Sequence, residues 1–303
     1  GGGSALLPYP VRGVTLADKQ RATELLLSSG AGIAEVNTVR KHLSRVKGGQ
    51  LGRFFAPATV VSLVLSDVIG DDLASIASGP TYPDPSTFEE ACAVLERYGL
   101  LAEMPPSVLA YLRRGRSGKV PETPKRLDNC RHYIIGNSRL ALEAMTRTAE
   151  EKGYRARILT AAQQGETTAA ARGRAAEIKR GDYDRYGALL LGGETTPRLP
   201  PHPGKGGRNQ HYAAVTLTAM RGYPGRWVMA SAGTDGSDFL PDVAGAIVDQ
   251  DSLPRAEAQG LDVESYLDRY DSHALLAALG DSLIVTGNTG TNVGDIIVYL
   301  LDA

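Results

Sequence analysis

The feature that most constrains this chain is how its apolar runs end. Ala188–Leu191 stops at Gly192-Gly193-Glu194-Thr195-Thr196, and Trp227–Ala230 runs into Gly233-Thr234-Asp235-Gly236-Ser237-Asp238. Leu283–Val285 is followed by Thr286-Gly287-Asn288-Thr289-Gly290-Thr291-Asn292-Val293-Gly294-Asp295. A β-branched run at 59–65 leads into Ser66-Asp67-Val68-Ile69-Gly70-Asp71-Asp72 and is expected to be a buried strand. Short apolar strands that end in glycine-rich polar turns belong to α/β proteins, where ligands bind beyond the carboxyl ends of strands. Glycine there lets the backbone approach a phosphate, and a following helix N-terminus offers free N–H groups. One such turn is commonplace. Four in one chain, each carrying Thr, Asp or Asn, point to a phosphate-binding cleft.

The spacing of apolar residues predicts helices over 18–27, 33–44, 85–98, 105–112, 139–152, 169–180 and 212–220. Ser86 is the expected cap of the 85–98 helix. Strands are predicted over 133–135 and 156–159, and a last helix over 293–301, started by Asn292. The alternation predicts α/β layers with a largely parallel sheet, and the 303 residues suit two domains or one large one. Residues 113–128, rich in Arg, Lys, Gly and Pro, are the expected linker, with Arg113-Arg114-Gly115-Arg116 a solvated loop. That divides the chain into 1–125 and 126–303.

Composition narrows the partners. Lys and Arg number 33 against 34 Asp and Glu, so no overall basic field invites nucleic acid. No apolar run reaches the length of a membrane helix. Cys92 and Cys130 lie in no CxxC pair and are expected to be reduced thiols of a cytoplasmic protein.

Neither GxxxxGK[ST] nor a strand-linked GxGxxG with a downstream acid is present. Pro203-Gly204-Lys205-Gly206-Gly207-Arg208-Asn209-Gln210 is another glycine loop entering a helix. Arg208 is placed to clamp a phosphate or carboxylate bidentately, and Lys205 has a weaker claim. Asp67, Asp71, Asp72, Asp235, Asp238 and Asp242 follow strands, where carboxylates suit Mg²⁺ but equally serve as caps and Asx turns. Asp67 and Asp235, just past strand ends, are the first choices, and either is suited to be the general base for a substrate hydroxyl. Gly233, Thr234 and Gly236, with the 286–292 turn, are expected to line the phosphate-binding cleft. Among the histidines His42 stands out, set beside Arg40 and Lys41. Ser4 after three glycines has no GxSxG around it and suits an anion nest. The Gly-rich opening is either a linker or a turn.

GGGSALL (1–7), VRKHLSRVKGGQL (39–51), SDVIGDDLASIASGPTYPD (66–84), GGETT (192–196), GGRNQ (206–210), GTDGSDFLPDVAGAIVD (233–249) and TGNTGTNVGD (286–295) together resemble the MOFRL-type glycerate 2-kinases, some called hydroxypyruvate reductases in older usage. The resemblance spans nearly the whole chain in order. It implies two α/β domains with Rossmann-like sheets and the active site in the cleft between them. It also implies ATP and Mg²⁺ as co-substrates and phosphoryl transfer to the 2-hydroxyl of D-glycerate, with Gly233, Thr234, Gly236, Thr289 and Asn292 facing the nucleotide. By position it implies that Gly2, Gly3 and Ser4 line a substrate or phosphate nest. Arg40, Lys41, Lys47, Asp67, Asp71, Ser78, Gly79 and Thr81 would lie around the cleft. Glu194, Arg208, Asn209, Asp235, Thr289 and Asn292 would complete it. Arg208, Asp235, Asp67 and Lys47 form the expected catalytic set, and Asp67, Asp71 and Asp235 the expected metal ligands. A homodimer is compatible with the resemblance.

Two departures bear on this. Asn288 stands where the family carries proline, so that turn is expected to be less rigid. The family's N-terminal segment, with several strands and a glycine-lysine stretch, is not seen before Gly1; its loss would expose apolar sheet surface and remove a lysine. An NAD(P)-dependent hydroxypyruvate reductase and a non-catalytic binder of sugar acids or nucleotides are the competing readings.

Overall fold

The computed structural model describes residues 3–302, and two compact units divide it. Unit 1 comprises Gly1–Val64 and Asp71–Ile135; unit 2 comprises Leu65–Gly70 and Gly136–Ala303. The stretch 113–128 therefore lies within unit 1. Arg113, Arg114 and Arg116 are not loop residues but the last turn of a helix, where cations complement the helix dipole.

Unit 1 runs α1 (Gly3–Leu6), α2 (Leu16–Ser28), α3 (Ile33–His42), α4 (Gln50–Phe54), β1 (Val60–Leu65), α5 (Phe88–Arg97), α6 (Pro106–Arg116) and β2 (Cys130–Gly136). Thr15 begins α2 with a capping box to Asp18. Thr87, rather than Ser86, caps α5, because Glu90 three residues on returns the bond. Leu26, Val36, Val39, Leu95, Val108 and Leu112 from α2, α3, α5 and α6 form the core. β1 and β2 make a two-stranded sheet. β1 is not the buried strand expected: Val61 and Leu63, like Tyr133 and Ile135 of β2, are exposed at alternate positions.

Unit 2 runs α7 (Ser138–Glu151), β3 (Ala156–Gln163), α8 (Thr167–Lys179), β4 (Ala188–Gly193), α9 (Arg208–Ala219), β5 (Trp227–Gly233), β6 (Gly245–Asp249), α10 (Ser252–Ala258), α11 (Val263–Asp268), α12 (Ser272–Ala278), β7 (Leu283–Ile284) and β8 (Asp295–Leu301). Its sheet has the order β3-β4-β8-β5-β6-β7. The expected α/β class with parallel pairing holds for β3 and β4. The other pairs are antiparallel.

The predicted 293–301 helix is a strand. Ile296-Ile297-Val298 is a β-branched run, stiff at χ1 and suited to a pleated surface. As β8 it lies between β4 and β5, pairing Leu190 with Val298 and Met229 with Tyr299. That insertion makes the sheet mixed. α9 is buried from Asn209 to Leu217, as expected of a helix packed on several sides. Among the described residues no helix is long and apolar enough to cross a membrane.

Candidate functional site

In unit 2 the glycine turns do converge. The Thr234 hydroxyl donates to Gly294 O at 2.6 Å and accepts from Val293 N at 2.8 Å. The Thr289 hydroxyl donates to Thr234 O at 2.5 Å. Gly236 has φ +89°, and a Cβ there would meet Gly287 O at 1.9 Å, so only glycine fits between the two turns. Asn292 Nδ2 donates to Asp67 Oδ2 at 3.0 Å, which ties the 65–70 loop to the same place. Asn288 offsets the missing proline: its Oδ1 accepts Gly290 N–H at 2.8 Å, an Asx turn that holds the loop.

Arg208 opens α9 and grips Asp295 with two bonds, Nε to Oδ2 at 2.6 Å and Nη2 to Oδ1 at 3.0 Å. Its Nη1 lies 3.0 Å from Glu194 Oε1. Burial works against the guanidinium charge, but the Asp295 bond and the Asp295 and Glu194 charges outweigh it and drive the pKa up. Burial raises the Glu194 pKa. Arg208 opposes that shift, while Asp295, Asp67 and Asp235 add to it. Arg208 thus pairs with two carboxylates, and two more, Asp67 and Asp235, bear on Glu194.

Some expected ligands have structural duties. Asp238, expected among the metal candidates, is buried and accepts from Asn209 N at 3.0 Å and Gln210 N at 2.8 Å. Those donors of the α9 N-terminus are therefore taken, and the free helix start expected after Gly206-Gly207 is not there for a phosphate. Asn209 is 2% exposed, donates to Asp238 and accepts from Ser231 Oγ. It holds the first turn of α9 rather than presenting a side chain. Asp235 Oδ1 closes an Asx turn with Ser237 N at 2.9 Å. Lys205 is exposed, and its N–H donates to Asp271.

Unit 1 gathers a different set. The Ser4 hydroxyl lies 2.8 Å from Ser78 Oγ and accepts from Arg40 Nη2 at 3.2 Å and Lys47 Nζ at 3.0 Å. Lys47 Nζ also donates to Ser4 O at 2.5 Å. Lys47 is 1% exposed, and burial, then Arg40, push its pKa down to about 8. Ala77, Ser78 and Gly79 all have positive φ, a strained turn kept in place by Gly48 N–H to Ser78 O and Gly49 N–H to Gly79 O. Gly3 sits against this turn, 3.3 Å from Ala77 Cβ for an added Cβ, while Gly2 lies outside the described residues.

Lys41 and Thr81 bond elsewhere in this unit. Lys41 pairs with buried Asp84 at 3.4 Å, and Thr81 Oγ1 bonds Ser62 and His132. His42 is packed against Phe88 and bonded to Thr38 O and Glu122, a core histidine.

Asp67 and Asp235 belong to unit 2, but Asp71 belongs to unit 1. Among the described residues no three His, Cys, Asp or Glu side chains form a metal cage. Mg²⁺ generally takes one or two carboxylates and completes its shell with phosphate oxygens and water. Asp67 and Asp235, both bearing on Glu194, fit that mode. Asp295 escaped the sequence reading. It closes the TGNTGTNVGD stretch, but the following residues were expected to be helical, and only as the first residue of β8 does it meet Arg208.

Residues 1–113 match the family described as "Domain of unknown function (DUF4147)", and residues 187–295 match the MOFRL family. A Thermotoga maritima protein named D-glycerate 2-kinase is 43% identical over 306 residues, covering 99% of this chain and 70% of that protein. An Agrobacterium vitis protein named putative hydroxypyruvate reductase is 41% identical, covering 99% of this chain and 68% of its own length. The crystal structure of a glycerate kinase from Thermotoga maritima superposes with a TM-score of 0.89 at 44% identity, over 100% of this chain and 71% of that one. The chain therefore belongs to the MOFRL-type glycerate kinase family.

Proposed function

We propose that the protein is a glycerate 2-kinase, transferring the γ-phosphoryl group of ATP to the 2-hydroxyl of D-glycerate. The observation that carries this reading is the convergence in unit 2 of four glycine-bearing loops, two of which pair with Arg208 through Glu194 and Asp295. Likeness to relatives named for that activity supports it.

In this reading unit 2 receives the nucleotide. Arg208, held rigid by Asp295, faces the charge that spreads over the phosphoryl oxygens during transfer. The turns at 233–236 and 286–292 approach the nucleotide with backbone and small side chains. Mg²⁺, held by Asp67 and Asp235, would neutralise phosphate charge. One of these two carboxylates takes the proton from the attacking hydroxyl as the new oxygen–phosphorus bond forms and ADP leaves. Unit 1 supplies positive charge and hydroxyls for the acid: Arg40, Lys47, Ser4 and Ser78. Lys41, Gly79 and Thr81 support the fold around them. The free, buried cysteines Cys92 and Cys130 favour a cytoplasmic setting.

The assay is direct. ADP release is followed with D-glycerate and MgATP, beside loss of reduced nicotinamide absorbance with hydroxypyruvate. ADP formation that depends on glycerate is expected. Cofactor oxidation without ADP would instead make the protein a reductase, and calorimetric binding with neither reaction would make it a binder.

A further inference from the structure

Lys19 lies on α2, is 4% exposed, and its ammonium has no hydrogen-bond partner in the protein. The charges that bear on it, Lys47 and Arg40, are both positive. Burial first, then those two cations, push its pKa down to about 8. Lys47 is displaced to about the same value. A buried charge is ordinarily paired, because desolvation of a lone ammonium is costly. Here three cations share one part of unit 1, and Arg40 and Lys47 bond chiefly to neutral oxygens of Ser4.

We infer that Lys19 is a ligand-binding residue of an oxyanion site formed with Arg40, Lys47, Ser4 and Ser78. This rests on the kinase reading for the identity of its ligand. The reaction offers two oxyanions of the same chemistry, the carboxylate of the hydroxy acid and a phosphate group. The cluster suits either: three positive charges supply attraction, and two hydroxyls donate short bonds without adding charge. Lys19 carries no motif. It occupies one position of an amphipathic helix, and its charge matters only because α2 packs on α3, which brings Arg40.

The test uses K19M, which keeps the length of the apolar stem and removes the ammonium, and K19R. Thermal unfolding is followed without ligand, with D-glycerate alone and with inorganic phosphate alone. Wild type and K19R should be stabilised by at least one of these anions. K19M should unfold no earlier than wild type without ligand, yet need at least tenfold more of that anion for the same shift. In turnover, its KM should rise at least tenfold for the substrate that carries the stabilising anion, D-glycerate or ATP, while KM for the other stays within twofold. Stabilisation by glycerate but not phosphate assigns the site to the carboxylate; the reverse assigns it to phosphate. Wild-type anion response in K19M overturns the inference, as does the absence of any response in wild type.

Should K19M fail to fold, competitive acylation of wild-type lysines settles the matter. Lys19 should be protected by the same anion, and unchanged labelling counts against the site. Failure of the kinase reading looks different: no ADP from glycerate, with Lys19-dependent anion stabilisation intact.

Discussion

The two charged clusters are built on opposite principles. In unit 2, Arg208 is answered by Asp295 and Glu194, and the surrounding loops are tied by Thr234, Thr289 and Asn292. In unit 1, Arg40, Lys47 and Lys19 are gathered against hydroxyls, a carbonyl and one another. In the first cluster the arginine is paired, although Glu194 also feels the like charges of Asp295, Asp67 and Asp235. The second stores repulsion that an anion relieves. A protein keeps such a destabilised cluster where binding needs it, at the expense of stability.

That contrast is sharpest at Arg208. Arg208→Ala should lower glycerate-dependent ADP formation by roughly a hundredfold to a thousandfold, the scale of losing a preorganised donor to developing charge. It also leaves Asp295 unpaired with a side chain only 5% exposed, at a cost of about 3–5 kcal/mol in urea unfolding. Arg208→Lys should not restore the rate, since an ammonium cannot make the two-pronged bond. A variant with near-normal turnover would break the assignment.

Asp235→Asn comes next, with turnover down by about a hundredfold, the lower end of the range for a lost acid–base group, and its melting temperature near that of wild type. Lys47→Met should behave in the opposite sense to Arg208→Ala. Its KM for glycerate should rise by about tenfold, one charge-assisted bond's worth, while its urea midpoint stays level or rises. A lower midpoint with unchanged KM would mean that Lys47 is simply a core residue.

The smallest effect is in the pH dependence of stability. Lys19 and Lys47 have folded pKa values of about 8, below the 10.5 of the unfolded chain. Between those values the unfolded chain holds protons that the native state has lost, so stability rises with pH from about 8 to about 10.5. The rise should be less steep in Lys47→Met. Glu194 in unit 2 has the reverse sign. Its pKa is raised above 4.5, so its contribution falls as pH climbs through the window above that value. Urea titrations at pH 5, 7.5 and 10 separate the two slopes; a flat alkaline limb would contradict the depressed lysines.

How much was legible beforehand varied with the kind of signal. The turns at 192–196, 233–238 and 286–295 were readable because glycine beside Thr, Asp and Asn is a local mark, and the turns met as expected. The place of Arg208 at the start of a helix beside a glycine loop was readable for the same reason. Asp295 was not, because a six-residue apolar run such as 296–301 gives helix and strand nearly the same pattern. Asn209 and Asp238 looked like ligands because their residue types are those of ligands. Their burial and mutual bonding, which take them out of reach, come from packing. Lys19 left no mark at all.

The sequence by itself determined the α/β class, the glycine turns and the charges they carry, since these depend on neighbours along the chain. Only the tertiary structure decided which charges are paired and which stand against their own kind. Arg208 meets Asp295 across 87 positions, and Lys19 feels Arg40 and Lys47 from separate segments. Electrostatic energy depends on distance and burial in space. Those are set when β8 enters the sheet and α2 packs on α3.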